Sequence, residues 1–228
     1  QRPGRLLRAL LGEHPADLWM LYEASTPVAR FFRTTGAPSI ICGGPALNEG
    51  LSLCAYDGLA ALRHAIGVFN RAGHTRIIAA TRFPRPFREQ TFREEFARRG
   101  LDFDLQRHMP CWNDDLDQLH DLLRCRLSAP DRPTAWILNG LDALVVLFST
   151  LMELGLRVPH DVSVLTIGSD PVLGSFRPTI SHYTTPHRPL AMAMAGMIRT
   201  HLQSPPSTPV TKLLQTEFVR GGSVGPAC

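Results

Sequence analysis

Apolar residues along this chain follow two spacings, which predict two kinds of secondary structure. Short apolar runs bounded by glycine, proline or polar residues indicate strands buried on both faces. These runs lie at 18–22, 39–42, 51–56, 76–80, 134–138 and 162–167. Stretches with apolar residues three or four positions apart indicate amphipathic helices. They lie at 5–13, 25–34, 57–72, 88–99, 114–126 and 141–154.

Strands and helices alternate along the chain, with a strand about every 20–30 residues. This alternation predicts an α/β fold built from doubly wound parallel sheets. Because crossovers between parallel strands are right-handed, the carboxyl ends of the strands are expected along one edge of each sheet. Open parallel sheets bind their ligands beyond that edge.

The stretch from Gly155 to Asp170 shows this arrangement most clearly. Gly155 closes the preceding apolar helix, because a left-handed C-terminal cap favours a residue without Cβ. Pro159 prevents that helix from resuming. The run 162–167 then predicts a buried strand, and the polar loop 168–170 follows it at the expected ligand-binding edge.

The composition is that of a globular chain. Of its 228 residues, 44% are hydrophobic and 19% are charged, a balance typical of folded proteins. The longest apolar stretch, 138–156, is interrupted by Asn139, Asp142 and Glu153, so no membrane span is expected. No signal peptide is visible. The chain starts at Gln1 rather than Met, which indicates a fragment.

The chain is mildly basic, with 24 basic and 20 acidic residues and a net charge of +4. Several arginines lie close together in sequence: Arg82, Arg85, Arg88, Arg93, Arg98 and Arg99. Such a group can bind nucleic acid or small anions, or it can form a solvated loop and helix face. No aromatic-rich nucleic-acid module lies among them, so DNA binding is not assigned to this piece of chain.

The cysteines and histidines give no metal or catalytic motif. There are five cysteines, an odd number, and none forms a CxxC pair. This pattern argues against a disulfide scaffold or a zinc site and fits a reducing cytoplasm. The nine histidines show no HExxH spacing, and no nucleophile elbow, P-loop or GxGxxG occurs. We therefore expect no metal, no cofactor and no enzymatic activity.

Five stretches resemble motifs of the LacI/GalR family of bacterial transcription regulators, and they occur in the family's order. The run Gly155-Leu-Arg-Val-Pro-His-Asp-Val-Ser-Val is similar to the family signature G-L-x-V-P-x-D-V-S-V. The other four are Gly36-Ala-Pro-Ser-Ile-Ile, Asp57 with Ala60-Ala61 and Gly73-His74-Thr-Arg-Ile77, Arg88-Glu-Gln-Thr-Phe92, and Phe218-Val-Arg-Gly-Gly-Ser-Val-Gly-Pro226.

The resemblance implies two α/β subdomains joined by three crossovers, with a small effector bound in the cleft between them. The first subdomain would comprise 1–56 and 184–206, and the second 57–183 and 207–228. The family's helix-turn-helix, its hinge and the first strand–helix–strand of its N-terminal subdomain have no counterpart here. The first subdomain is therefore expected to be incomplete.

The resemblance also points to effector-binding residues. The family's arginine at the place of Arg88 reaches into the cleft, where a guanidinium fork recognises vicinal hydroxyls or a carboxylate. The alternative for Arg88 is a surface arginine at a helix start. Arg82 and Phe83 follow a strand and are expected to face the same cleft, or to lie in a solvated loop.

Three further candidates each carry an alternative. Asp170 is an acceptor for sugar hydroxyls or a turn cap before a proline; the family's aspartates stand one and two positions earlier, where this chain has Gly168 and Ser169. Asn139, near the family's Asn-Asp pair, is an effector contact or a helix cap. Trp112 stacks on a sugar or base or is a partly buried loop aromatic.

Asp57 begins a helix at a crossover, so we expect it to cap that helix and fix the hinge. Taken together, the residues predict the effector-sensing and dimerisation region of a cytoplasmic LacI-type regulator. Its effector is expected to be a sugar, and its DNA contacts to come from a helix-turn-helix absent from this chain. The alternative is a periplasmic sugar-binding protein of an uptake system, which shares the fold.

Overall fold

The computed structural model describes residues 3–44, 49–84 and 86–227. Arg85 and Cys228, which were counted above, lie outside the described residues. The chain divides into two compact units. The first unit is Gln1–Asp57 with Pro186–Gln215, and the second is Gly58–Thr185 with Thr216–Cys228. The backbone therefore passes from one unit to the other three times.

Helices and strands alternate over most of the chain. The helices are α1 (Pro3–Glu13), α2 (Thr26–Thr35), α3 (Gly58–Arg71), α4 (Pro86–Ala97), α5 (Leu105–His108), α6 (Leu116–Leu127), α7 (Leu141–Glu153) and α8 (His187–Gln203). The strands are β1 (Trp19–Tyr22), β2 (Ser39–Cys42), β3 (Ser52–Tyr56), β4 (Ile77–Ala79), β5 (Ala135–Leu138), β6 (Ser163–Ile167), β7 (Ser181–Thr184), β8 (Thr211–Leu214) and β9 (Glu217–Val219). A 3₁₀ turn covers Pro171–Ser175.

The first unit has a parallel sheet in the order β1-β2-β3-β8. On one face, Phe32 of α2 packs with Ile41 and Leu53 of the sheet. On the other face, Met194 of α8 packs against Ile40. Helices on both faces explain why β2 is buried along its whole length.

The second unit has a sheet in the order β4-β5-β6-β7-β9, in which only β9 is antiparallel to its neighbour. Helices α6 and α7 cover one face with a core around Trp136. Helices α3 and α4 cover the other, where the rings of Phe92 and Phe96 are 4.6 Å apart. The predicted α/β class with two parallel-dominated sheets is confirmed.

The predicted strands and helices up to residue 167 are present, with ends that shift by at most two residues. Four elements that the apolar pattern did not predict follow that point: β7, α8, β8 and β9. The short helix α5 was also not predicted. Strand β8 reads Thr-Lys-Leu-Leu and is mostly exposed, so it carries none of the apolar signal that marks the central strands.

The three crossings lie at 57/58, 185/186 and 215/216. The first two differ from the predicted boundaries by one or two residues. The third differs more, because residues 207–215 were assigned to the second subdomain but lie in the first unit. The reason is that β8 forms the edge strand beside β3, with Leu53 opposite Thr211.

Candidate functional site

The carboxyl ends of β4, β5 and β6 lie side by side at one edge of the second unit's sheet, because the three strands are parallel neighbours. Each strand is buried and leads into a polar loop. These loops carry Arg82, Asn139 and Asp170, one from each strand. The structure thus brings three of the predicted residues to the same edge.

Arg82 joins the loop after β4 to the start of α7. Its Nε lies 3.2 Å from Asp114 Oδ1, and its Nη2 donates to Asp142 Oδ2. The guanidinium also covers the ring of Trp112, at 5.1 Å from the ring centroid. Partly exposed ion pairs of this kind stabilise a protein by about 0–1 kcal/mol each. Their main consequence here is to fix the direction of the Arg82 side chain.

The structure corrects the prediction for Trp112. Its side chain is only 1% exposed and packs in the core with Leu119 and Trp136. One ring face is covered by Arg82. The buried indole therefore holds its loop in place. The Trp112 N–H also donates to the carbonyl of Thr81, two residues after β4, at 3.1 Å.

Asn139 is exposed directly after β5 and does not cap α7. The N-cap position belongs to Gly140, whose φ of 101° favours glycine. A Cβ at Gly140 would also lie 2.5 Å from Asp142 Oδ1. Asn139 Oδ1 instead lies 3.9 Å from where a Cβ on Gly168 would stand. Its amide is therefore directed toward the loop after β6.

Asp170 uses one carboxylate oxygen as a cap. Its Oδ1 accepts a hydrogen bond from Val172 N–H at 2.9 Å, at the start of the 3₁₀ turn. The other oxygen, Oδ2, has no hydrogen-bond partner among the described residues. The turn-capping role is therefore present, and one acceptor oxygen stays available at the half-buried edge.

Arg88 lies half-buried in the first turn of α4. Its Nη2 is 3.7 Å from where a Cβ on Gly58 would stand, so the guanidinium reaches the first residue of α3. Asp57 immediately precedes α3, and its N–H donates to the Leu214 carbonyl at 2.8 Å. The position before the helix is the one that a capping aspartate occupies.

Phe83 and Phe87, the sequence neighbours of Arg82 and Arg88, are exposed apolar residues. Their side chains are 44% and 45% exposed, respectively, which is unusual for phenylalanine. Phe83 was predicted and Phe87 was not. Sugar rings stack on exposed aromatic rings and hydrogen-bond to guanidinium and carboxylate groups. The loops at this edge therefore carry the types of side chain that a sugar site needs.

Two residues of this edge were missed from the sequence, Asp114 and Asp142. Both hold Arg82. The available signal for Asp142 was an acidic residue in the first turn of a strongly apolar helix, where the helix dipole favours negative charge. Asp114 has a φ of 64°, in the left-handed region that aspartate tolerates in turns. No sequence pattern marks Asp114 in a comparable way.

The edge offers donors and acceptors rather than a metal centre. Within the residues that the structure describes, no three histidine, cysteine or acidic side chains stand close enough to hold a metal ion. In the same part of the chain, no helix combines the length and apolar character that a membrane span requires. Arg82, Asn139 and Asp170 supply a guanidinium, an amide and a carboxylate, which hydrogen-bond hydroxyl groups.

An α/β unit with hydrogen-bonding side chains beyond the carboxyl ends of a parallel sheet has the architecture of a small-molecule binding domain. The family model of the periplasmic binding protein-like domain matches residues 66–224, and the chain belongs to this family. A curated relative is the "Probable opine utilization operon repressor" of Rhizobium rhizogenes, 28% identical over 120 residues. That match covers 50% of this chain and 61% of the relative, about three fifths of its length.

Solved structures of regulators share the fold. A LacI family regulator from Mycobacterium smegmatis has a TM-score of 0.82 at 21% identity, covering 100% of this chain and 85% of that one. The transcriptional regulator CelR in complex with cellobiose has a TM-score of 0.81 at 22% identity, covering 96% and 69%. A LacI family regulator from Enterococcus faecalis V583 with bound ribose has a TM-score of 0.78 at 14% identity, covering 100% and 84%.

The resemblance to LacI/GalR regulators is therefore confirmed. The named relatives are regulators and a repressor rather than enzymes, in agreement with the prediction that the chain has no enzymatic activity.

Proposed function

We propose that this chain is the effector-sensing region of a LacI-type transcription regulator and that its effector is a sugar. The observation that carries the proposal is the convergence of Arg82, Asn139 and Asp170 at one sheet edge, in a chain of the periplasmic binding protein-like family. Carboxylate and amide oxygens accept hydrogen bonds from sugar hydroxyls, and guanidinium groups donate to ring and hydroxyl oxygens. The cellobiose and ribose bound to two structural neighbours support this chemistry.

In this proposal Asp170 Oδ2 and the Asn139 amide contact the effector directly, and Arg88 donates to it from α4. Arg82 acts as a positioning residue, because two carboxylates already hold its guanidinium. Phe83 supplies the apolar contact. We further propose, from the family resemblance, that the effector is bound between the two units and that Asp57 fixes the hinge.

The proposed mechanism has two states. An effector that binds one arrangement of the units more tightly than the other shifts the population toward it, and only that difference in affinity drives the change. A dimer of this chain would pass the change to helix-turn-helix domains on the same polypeptide, which would make the DNA contacts. We propose for the same reason that the protein acts in the cytoplasm.

Asp170 allows a sharp test, because its two oxygens have different roles. Asp170→Asn keeps a cap acceptor for Val172 N–H but removes the charge, whereas Asp170→Ala removes both. We expect Asp170→Asn to weaken sugar affinity about tenfold or more at unchanged stability. We expect Asp170→Ala to lose the same affinity and also about 1 kcal/mol of stability.

Isothermal titration calorimetry with ribose, cellobiose and an opine, together with urea unfolding, measures both quantities. Binding of a sugar that survives Asp170→Asn unchanged would remove Asp170 from the site. Binding of the opine alone would replace the sugar as the effector class.

The DNA-binding part of the proposal has its own test, the gene sequence upstream of the codon for Gln1. A helix-turn-helix and hinge are the expected outcome, over about 100 residues or less. A signal peptide that leads directly into a strand–helix–strand would instead make the protein a periplasmic sugar binder.

A further inference from the structure

A groove of about 550 Å³ lies between α3 and the segment that contains β9, within the second unit. Its walls come from His64, Val68 and Arg71 on one side and from Phe218, Arg220 and Val224 on the other. We call it the α3–β9 groove. It includes Ser181, the first residue of β7, so it lies toward the opposite end of the sheet from the edge described above.

The α3 wall follows from helical spacing. His64, Val68 and Arg71 are four and three positions apart, which aligns them on one face of the helix. Val68 is half-buried, while the other two side chains extend from the helix surface. The helix therefore presents an imidazole, an apolar patch and a guanidinium in a row.

The imidazole of His64 has a defined orientation. Its Nδ1 lies 2.7 Å from the hydroxyl of Tyr183, which is only 2% exposed. Burial raises the pKa of Tyr183 far above its usual value, so the hydroxyl keeps its proton. Nδ1 is the only hydrogen-bond partner of that hydroxyl among the described residues. If Nδ1 donated to it, the buried hydroxyl proton would have no acceptor, which is costly, so we infer that Tyr183 donates to Nδ1. The neutral imidazole then carries its own proton on Nε2, a donor on the side away from Tyr183.

Phe218 forms the floor beside this donor. Its ring centroid is 5.3 Å from that of His64 and 5.2 Å from that of Tyr183. These edge and tilted contacts hold the Phe218 ring in place while leaving it half-buried. Val68 and Val224 extend the apolar surface. The groove therefore has a rigid apolar body as well as polar ends.

The groove carries two guanidinium groups, those of Arg71 and Arg220. Within the part of the chain that the structure describes, neither the Arg71 nor the Arg220 guanidinium lies within 4.0 Å of a carboxylate or makes a hydrogen bond. A third guanidinium, that of Arg99, stands close by, and it is already paired with the buried carboxylate of Glu95. Arg71 Nη1 and Arg99 Nη2 lie 3.3 and 3.2 Å from where a Cβ on Gly67 would stand. Several other arginines of this unit are paired with carboxylates, including Arg82, Arg93, Arg98, Arg107 and Arg157.

We propose that the α3–β9 groove is a second ligand site, which binds a small organic carboxylate with a flat apolar body. Two guanidinium groups and the His64 Nε2–H match a carboxylate, because guanidinium recognises it through two parallel hydrogen bonds. The apolar body would stack on Phe218 and contact Val68 and Val224. The volume is within the range of about 300–1,000 Å³ that small-molecule sites have.

The test uses para-fluorobenzoate as the probe and fluorine NMR as the readout. We expect a saturable shift of the fluorine resonance with the unmodified protein, and none with the neutral isostere para-fluorobenzamide. The variant Arg71→Gln/Arg220→Gln removes both guanidinium groups and should weaken benzoate binding about tenfold or more.

The matched control is Arg188→Gln/Arg199→Gln, which removes two exposed arginines of α8 and so changes the net charge equally. It should leave benzoate binding unchanged. Absence of saturable benzoate binding, equal binding of the benzamide, or equal losses in both double variants would each overturn the proposal. Asp170→Asn separates the two sites, because it should weaken the sugar and leave the benzoate unaffected.

Discussion

At the scale of single residues, His74 joins three segments of the second unit. Its Nδ1 lies 2.9 Å from Thr134 Oγ1, and its Nε2 lies 3.0 Å from both Ser163 Oγ and the Gly225 carbonyl. A carbonyl only accepts hydrogen bonds, so the proton is on Nε2 and Nδ1 accepts from the Thr134 hydroxyl. The neutral ring thus satisfies every contact, and a second proton would remove the acceptor that Thr134 uses.

This arrangement makes stability depend on pH. Burial lowers the pKa of His74 below its ordinary 6.5. Below pH 6.5 the unfolded chain therefore binds more protons than the folded one, and the free energy of unfolding is expected to fall as the pH decreases. Urea unfolding at a series of pH values measures this.

The variant His74→Gln provides the comparison, since an amide also offers one donor and one acceptor without titrating. This variant should have a lower free energy of unfolding at neutral pH. Its free energy of unfolding should also decrease less steeply as the pH is lowered. Part of the fall should remain, because burial also lowers the pKa of His64 and His108. Parallel pH curves for the two proteins would show that His74 does not contribute.

Residue-level chemistry was the hardest part to predict from sequence. The loop positions of Arg82, Asn139 and Asp170 followed from the strand pattern, because each comes directly after a buried apolar run. The pairing of Arg82 with Asp114 and Asp142 did not, because it joins loops that are distant in sequence. The burial of Trp112 depends in the same way on a core formed by α6 and β5.

At the scale of elements, the segment after β9 packs unusually closely on the start of β7. A Cβ on Gly221 would lie 2.3 Å from the Thr179 carbonyl oxygen and 2.8 Å from Ser181 N. Only glycine allows this approach, because backbone atoms cannot move aside as a flexible side chain can. Ser223 continues the contact, with its Oγ accepting from Ser181 N–H at 2.8 Å.

We therefore expect Gly221→Ala to destabilise the protein by about 1–3 kcal/mol or more, as overpacking does. Gly196→Ala is the matched control, because Gly196 is exposed within α8 and a Cβ there would meet nothing within 4 Å. That change should stabilise the protein by about 1 kcal/mol through helix propensity. Thermal and urea unfolding of both variants measures the difference. Equal stabilities would mean that the segment shifts to accept the methyl group.

The elements differ in how well the sequence revealed them. Strands β2 and β6 are buried along their whole length and are mostly apolar. The β8 strand carries a lysine and one exposed leucine, Leu213, and β9 has only three residues. Such edge strands are defined by their partners in the sheet rather than by their own composition. For this reason the third crossing between the units was predicted several residues too early.

At the scale of the whole molecule, α7 has an apolar stripe that the second unit leaves uncovered. Val145 and Met152 are 55% and 81% exposed. They are seven positions apart, so they lie on the same helix face, away from the buried Leu144 and Leu151. We propose that this face contributes to a dimer of the chain.

Met152→Glu should then weaken self-association, because it places a charge in an apolar interface. Sedimentation equilibrium is the measurement, with a shift toward monomer as the expected outcome. Met192→Glu on α8 is the control, since Met192 is also a well exposed helical methionine, at 66%. A monomeric unmodified protein, or equal effects of the two changes, would contradict an interface on α7.

The last strands along the chain, β8 and β9, close the two sheets in turn: β8 is the edge strand beside β3, and β9 the edge strand beside β7. Only the two residues between Leu214 and Glu217 separate them. During translation, therefore, neither sheet can be completed until this one short segment has left the ribosome. Domains generally fold in order as they are synthesised. Here, however, β3 and β7 both lack an edge partner until the same few residues have been synthesised. Completion of the two sheets is then a nearly simultaneous event in biosynthesis.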